Sequence, residues 1–154
     1  MSRLYMLIGI PGSGKSTWAK KISEQNGACW ISRDAIRFSM LKEDDDYFAY
    51  EDTVIDTFIA DIQNAIEDNT PVIIADATHL TQKSRNQVLE RLSLKGTPVV
   101  YVYFDVPLTV ALERNEKREG RAKVPRSVIR RMYYSIQKPE QDCVIVNEEG
   151  ECII

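Results

Sequence analysis

Nine residues, Gly9-Ile10-Pro11-Gly12-Ser13-Gly14-Lys15-Ser16-Thr17, follow the spacing G-x-x-x-x-G-K-[ST]. A loop of this kind holds phosphate with its backbone. Glycines at 9, 12 and 14 admit conformations that other residues resist, so successive N–H groups can turn inward around an anion. Gly12, Ser13, Gly14, Lys15, Ser16 and Thr17 are the candidate nucleotide-binding set. A helix starting near Lys15 would add the positive end of its dipole. Lys15 would reach the outer phosphates of a nucleotide, and the Ser16 hydroxyl would ligate Mg²⁺. The flanks fit: Leu4-Tyr5-Met6-Leu7-Ile8 is a buried-strand run, and a helical stretch follows the loop.

Phosphoryl transfer is mostly positioning and charge neutralisation, so further parts are needed. Asp34 lies where a short strand (28–32) gives way to a short helix (35–41). A carboxylate there can cap the helix or accept the proton of an attacking hydroxyl, and the two roles are compatible. Arg37, three positions on, could orient an acceptor on the same side. Asp76 lies at the carboxyl end of a third strand-like run, 72–78. It could hold a Mg²⁺-bound water, orient the acceptor, or cap a turn. Arg114, Arg118 and Arg121 are spaced to share one helical face. Their mutual repulsion, roughly 0.2–0.5 kcal/mol per pair, would be relieved by an anion held between them. His79 reads as a hydrogen-bonded loop residue outside the chemistry.

These residues need elements that gather them at one edge. Strand-like runs at 4–8, 28–32, 72–78, 99–105 and 142–146 alternate with helical patterns. The longest helix is expected from Tyr47, with Tyr50, Val54, Phe58, Ile62 and Ile66 on its core face. Thr81 would cap the next helix. The segment 120–125 reads as a mobile connector, and Val128, Ile129, Met132, Tyr133 and Ile136 as the core face of the last helix. Alternating β and α predicts an α/β fold, a five-stranded parallel sheet between helices. Right-handed crossovers would then bring the loop, Asp34 and Asp76 to one edge under a basic lid at about 114–125.

The 154-residue length suits a single domain over residues 1–154 with a real core. The net charge of −3 gives no global basic character. Its distribution is uneven: residues 43–68 hold ten acids and no base, whereas 114–131 hold eight bases and two acids. A focused positive patch on an acidic body suits a small polyanion better than broad wrapping by a duplex. Cys29, Cys143 and Cys152 fit no metal spacing and read as buried reduced thiols. With no secretory pattern at the start and no membrane-length apolar segment, the expected compartment is the cytoplasm, without a membrane partner.

The motifs together resemble the 5′-kinase domain of phage-type polynucleotide kinases, a P-loop kinase family. The resemblance is carried by the loop with Thr17-Trp18 after it, Ser32-Arg33-Asp34 with Arg37, Ile74-Ala75-Asp76 and Phe104-Asp105-Val106-Pro107. Arg114-Asn115 with Lys117-Arg118, Lys123-Val124-Pro125 and Met132-Tyr133 extend it across most of the chain. It implies transfer of the γ-phosphate of ATP, with Mg²⁺, to a 5′-hydroxyl end of DNA or RNA. It implies Asp34 as general base beside catalytic Lys15, and Arg37 as the grip on the acceptor's phosphate. Arg118 would be the lid arginine at the donor phosphates with Arg114 as neighbour, and Asp76 an acceptor-side carboxylate. The loop 76–79 is one residue longer than in the phage enzymes, and no phosphatase region follows the fifth strand. A kinase for a small-molecule alcohol such as a sugar, nucleoside or antibiotic is the second reading. A nucleotide-binding module without transfer is the third, although no Asn-Lys-x-Asp motif occurs.

Overall fold

The computed structural model describes residues 1–153. Five parallel strands, β1 (Arg3–Ile8), β2 (Cys29–Ser32), β3 (Val72–Asp76), β4 (Val99–Phe104) and β5 (Cys143–Val146), form one sheet in the order β2-β3-β1-β4-β5. Six α-helices connect them: α1 (Lys15–Asn26), α2 (Arg33–Met40), α3 (Glu51–Glu67), α4 (Gln82–Glu90), α5 (Leu108–Glu116) and α6 (Arg126–Ser135). This is the architecture expected from the alternating patterns.

The sheet is buried on both faces, as all-parallel sheets are. Side chains of β1 alternate between its two faces. Leu4, Met6 and Ile8 join the core under α3 and α4, with Phe58, Ile62 and Ile66. Leu7 meets Ala19 of α1, Ile74 and Val102 on the opposite face. A third cluster underlies the glycine loop: Ile10 packs with Ala111 and Leu112 of α5 and Ile129 of α6.

Register fixes what shares that edge. Ser32 pairs with Asp76, and Ile8 with Tyr103. The glycine loop therefore emerges between the segments that follow β3 and β4, with the end of β2 one strand further out. The Gly9 amide donates to the Thr78 carbonyl at 3.1 Å, joining two of them.

Several local expectations are corrected. Helix α3 starts at Glu51, so Tyr47 and Tyr50 precede it, and Tyr50 is exposed. Strand β3 ends at Asp76, two residues early. The arginines at 114, 118 and 121 share no helical face, because α5 stops at Glu116. Asn115 explains the stop: its side chain donates to the Val124 carbonyl at 2.6 Å and accepts from the Val124 amide at 2.9 Å. That clamp folds the chain back, so residues 120–122 form a 3₁₀ turn rather than a loose connector. Cys29 and Cys143 are half-buried, Cys152 is exposed, and all three are free thiols.

Candidate active site

The glycine loop turns through Gly12 and Gly14 at φ +85° and +95°, values that suit glycine. A Cβ on Gly12 would lie 2.5 Å from the Ala111 carbonyl oxygen of α5. Gly12 is therefore also where a helix backbone presses on the loop. Lys15 begins α1, and its Nζ donates to the carbonyls of Gly9 at 2.8 Å and Ile10 at 3.1 Å. Burial pushes the Lys15 amine down to about 8, against the raising effect of Asp76 and Asp34, while Arg118 adds to the lowering. A poorly solvated ammonium over the loop is a strong pull for a phosphate anion.

Asp76 ends β3 directly beside the loop. Its Oδ2 accepts from the Ser16 hydroxyl at 3.4 Å and from the Trp30 indole at 2.9 Å. Burial raises its pKa, offset by Lys15 and by the Trp30 and Ser16 donors. A hydroxyl and a carboxylate this close form a hard-oxygen pair that fits Mg²⁺, which keeps several waters and needs few protein ligands. The inward-turned glycine loop with Lys15 likewise fits a nucleotide's phosphates. The placement puts Asp76 on the side of Ser16; the sequence left it between the metal and the acceptor.

Asp34 is not the helix cap. Ser32 caps α2, its hydroxyl accepting from the Ala35 amide at 3.1 Å. The Asp34 side chain is 63% exposed. Its Oδ1 accepts from Arg37 and from the Tyr47 hydroxyl at 3.2 Å, whereas Oδ2 receives no donor among the described residues. One oxygen is tied and the other is open, the arrangement a proton acceptor needs.

Arg37 differs most from the free cation expected of it. It is 6% exposed and donates to both Glu51 oxygens, at 3.0 and 2.8 Å. It also lies over the rings of Tyr47 and Phe48. Burial draws its pKa down, but Glu51, Tyr47 and Asp34 outweigh that and the net shift is upward. Glu51 thus fills the fork that an acceptor phosphate would take; the sequence pattern points to Tyr47 only as the start of a helix and gives Glu51 no role at the site. Tyr47 carries an aromatic at a helical core period, which concealed its polar end; burial and Asp34 raise its pKa.

On the lid side the arginines separate. Arg114 donates to the Gly12 carbonyl at 3.3 Å and to the Glu148 carbonyl. Arg118 is half-buried, and among the described residues its one hydrogen bond goes to the Ala122 carbonyl, at 3.3 Å. Arg121 leaves the group: its Nη2 donates to the carbonyls of Lys42, Glu43 and Asp45, tying the lid to the loop before Tyr47.

His79 stands outside the chemistry but braces the edge. At 2% exposure, its Nδ1 donates to the Leu7 carbonyl at 2.7 Å. Buried Arg85 donates to the His79 and Leu80 carbonyls at 2.8 and 3.2 Å, and to Gln137. Burial, with Arg33, Arg85 and Lys15 nearby, pushes the imidazole down to about 3. Between that value and the ordinary 6.5, the unfolded chain binds a proton that the native chain refuses. Stability contributed by this group is therefore lost as pH falls below 6.5. The expected loss by about pH 4.5, two pH units at about 1.4 kcal/mol each, is about 3 kcal/mol. Urea unfolding of the wild type and His79→Asn across that window should differ by this slope; asparagine suits the positive φ of 44°. Parallel pH curves would contradict it.

Comparison with known proteins shows the family and the fold. A family model described as an AAA domain matches residues 4–139. The L-seryl-tRNA(Sec) kinase of Methanococcus maripaludis is 32% identical over 143 residues, which cover 88% of this chain and 53% of that protein. A protein of Autographa californica nuclear polyhedrosis virus, described as a bifunctional polynucleotide kinase/RNA ligase, is 28% identical over 88% of this chain and 21% of its own length. The chain thus spans about half of one relative and a fifth of the other. Among solved structures, a chain of the Pnkp1/Rnl/Hen1 RNA repair complex superposes with a TM-score of 0.75 at 25% identity, covering 87% of this chain and 43% of that one. A sugar kinase from Janibacter sp. HTCC2649 shares the fold at 18% identity and TM-score 0.67, covering 98% of this chain and 88% of that one. With a family match over residues 4–139 and a phosphate loop, Ser16 and Asp76 gathered at one sheet edge, the chain belongs to the AAA-domain family of P-loop kinases.

Proposed function

We propose that this chain transfers the γ-phosphate of ATP to a hydroxyl carried on a nucleic acid, with the 5′-hydroxyl end of DNA or RNA as the favoured acceptor. The carrying observation is Asp34, with one oxygen held by Arg37 and Tyr47 and the other open, at the edge where Lys15 lies over the loop. In this reading the loop amides and Lys15 seat the donor phosphates. Ser16 and Asp76 would hold Mg²⁺ with its waters, and the bound ion would supply charge neutralisation at the donor phosphates. Asp34 takes the acceptor's proton through its open oxygen, Arg118 covers the transferring group, and Arg114 keeps the loop shaped through Gly12. Arg37 acts mainly by orienting Asp34, and grips an acceptor phosphate only where Glu51 yields.

Two observations support an acceptor on a nucleic acid. The two relatives named above are described as kinases of L-seryl-tRNA and of a polynucleotide. The outer face of α6 presents Arg130, Arg131 and Tyr134, the last 78% exposed, and neither arginine is ion-paired among the described residues. Basic side chains interleaved with an exposed ring suit a single strand.

The test supplies γ-labelled ATP and Mg²⁺ with a 5′-hydroxyl oligonucleotide, its 5′-phosphorylated twin, seryl-tRNA, or a pool of small alcohols. Label is expected on the 5′-hydroxyl oligonucleotide and not on its twin, with KM rising steeply with salt. Label on small alcohols alone would replace this reading with the second one. That second reading draws on Glu51 occupying Arg37 and on the acidic stretch before Tyr47, both unwelcoming to a polyanion. Nucleotide binding without transfer to any acceptor would leave a non-catalytic module.

A further inference from the structure

Trp30 has no place in the chemistry described so far. It lies on β2, the edge strand, is 37% exposed, and belongs to none of the buried clusters. Its neighbour across the ladder is Ile74, two residues before Asp76, and an aromatic side chain spans that diagonal easily. The indole Nε1 donates to Asp76 Oδ2 at 2.9 Å. The other donor to that oxygen, the Ser16 hydroxyl, stands at 3.4 Å, near the limit of a hydrogen bond. Asp76 Oδ1 receives no protein donor among the described residues. The indole is thus the short contact that sets the rotation of this carboxylate. It leaves one oxygen facing away from the indole and free of protein donors.

We infer that Trp30 is a positioning residue for the metal side of the site, its indole N–H fixing the rotation of the Asp76 carboxylate beside the Ser16 hydroxyl, with Oδ1 left free of protein donors for a Mg²⁺ shell. This rests on the proposed nucleotide and Mg²⁺ site. It holds for either class of acceptor, since Trp30 acts on the donor side. The role also needs a planar donor: phenylalanine keeps the ring and loses the bond.

The chain has two tryptophans, and Trp18→Phe is expected to fold, because it keeps an aromatic ring against Tyr5 and Phe104. In that background Trp30 is the sole indole. Its emission is expected to change when Mg²⁺ is titrated into protein saturated with ADP. Trp30→Phe is expected to raise the Mg²⁺ concentration for half-maximal transfer about three- to tenfold, as a charge-assisted hydrogen bond to a carboxylate is lost. At saturating Mg²⁺ the turnover should stay within about twofold, and binding of labelled ADP without Mg²⁺ should not move. Trp30→His, which restores a ring N–H, should recover part of the Mg²⁺ requirement. Unchanged emission on forming the Mg²⁺·ADP complex would overturn the inference even if Trp30→Phe failed to fold. So would an unchanged Mg²⁺ requirement in a folded Trp30→Phe protein. If labelled ADP does not bind the unaltered protein at all, the nucleotide site itself falls, and this inference with it.

Discussion

Asp34→Ala is expected to slow phosphoryl transfer by about 10²- to 10⁴-fold while ATP affinity stays within about threefold, the signature of a lost general base. The alternative, a structural role, predicts unfolding or loss of nucleotide binding. The local geometry argues for the kinetic outcome. Ser32 caps α2, so removing Asp34 leaves the cap intact and forfeits only a helix-dipole contribution of about 0.3–1 kcal/mol. Arg37 loses one acceptor but keeps both Glu51 oxygens and its stack on Tyr47. Asp34 is largely exposed, so no cavity forms. Single-turnover transfer with labelled ATP, alongside equilibrium binding of ATP, separates the two. Asp34→Asn sharpens the comparison. An amide oxygen can still accept from Arg37 and Tyr47 but cannot take up a proton at neutral pH. A comparable loss in Asn and Ala would locate the effect in the proton, whereas near-normal transfer by Asn would make Asp34 an orienting group.

Much of the fold was legible because its determinants are local. The strands are continuous apolar runs between turn residues, and the parallel order follows from the helices between them. The loop was legible for the same reason: its chemistry is backbone chemistry, written in three glycines. What escaped the sequence depends on partners distant in the chain. Trp30 meets Asp76 across 46 positions, and Arg37 meets Glu51 across 14. Arg85 sits in a helix whose pattern reads as solvated, yet it is fully buried among three carbonyls. Nothing in QKSRNQV distinguishes it from a surface arginine. The lid shows how one such contact rewrites a periodicity argument. Spacing alone puts 114, 118 and 121 on one face, and the Asn115–Val124 clamp ends the helix before that spacing can act.

That separation gives the lid arginines distinct expected phenotypes. Arg118→Ala should lower kcat by about 10³-fold with little change in the affinity for ATP, since an arginine covering a transferring phosphoryl group contributes chiefly in the transition state. The side chain suits that role: among the described residues it makes a single 3.3 Å hydrogen bond, to the Ala122 carbonyl, and it lies close enough to help lower the Lys15 pKa. Its removal breaks little. Arg114→Ala should behave in the opposite way. Its guanidinium bridges the Gly12 carbonyl and the Glu148 carbonyl, so it joins the glycine loop to the segment after β5. Losing it relaxes the loop before any phosphate arrives, which raises the Kd for ATP and lowers thermal stability. The pair of variants, measured for ATP binding, turnover and melting temperature, tests the assignment as a whole. A kcat defect confined to Arg114→Ala, with Arg118→Ala near normal, would hand the transition-state role to the arginine already seated on the loop. The lid would then be a cover that excludes water rather than a source of the transferring group's counter-charge.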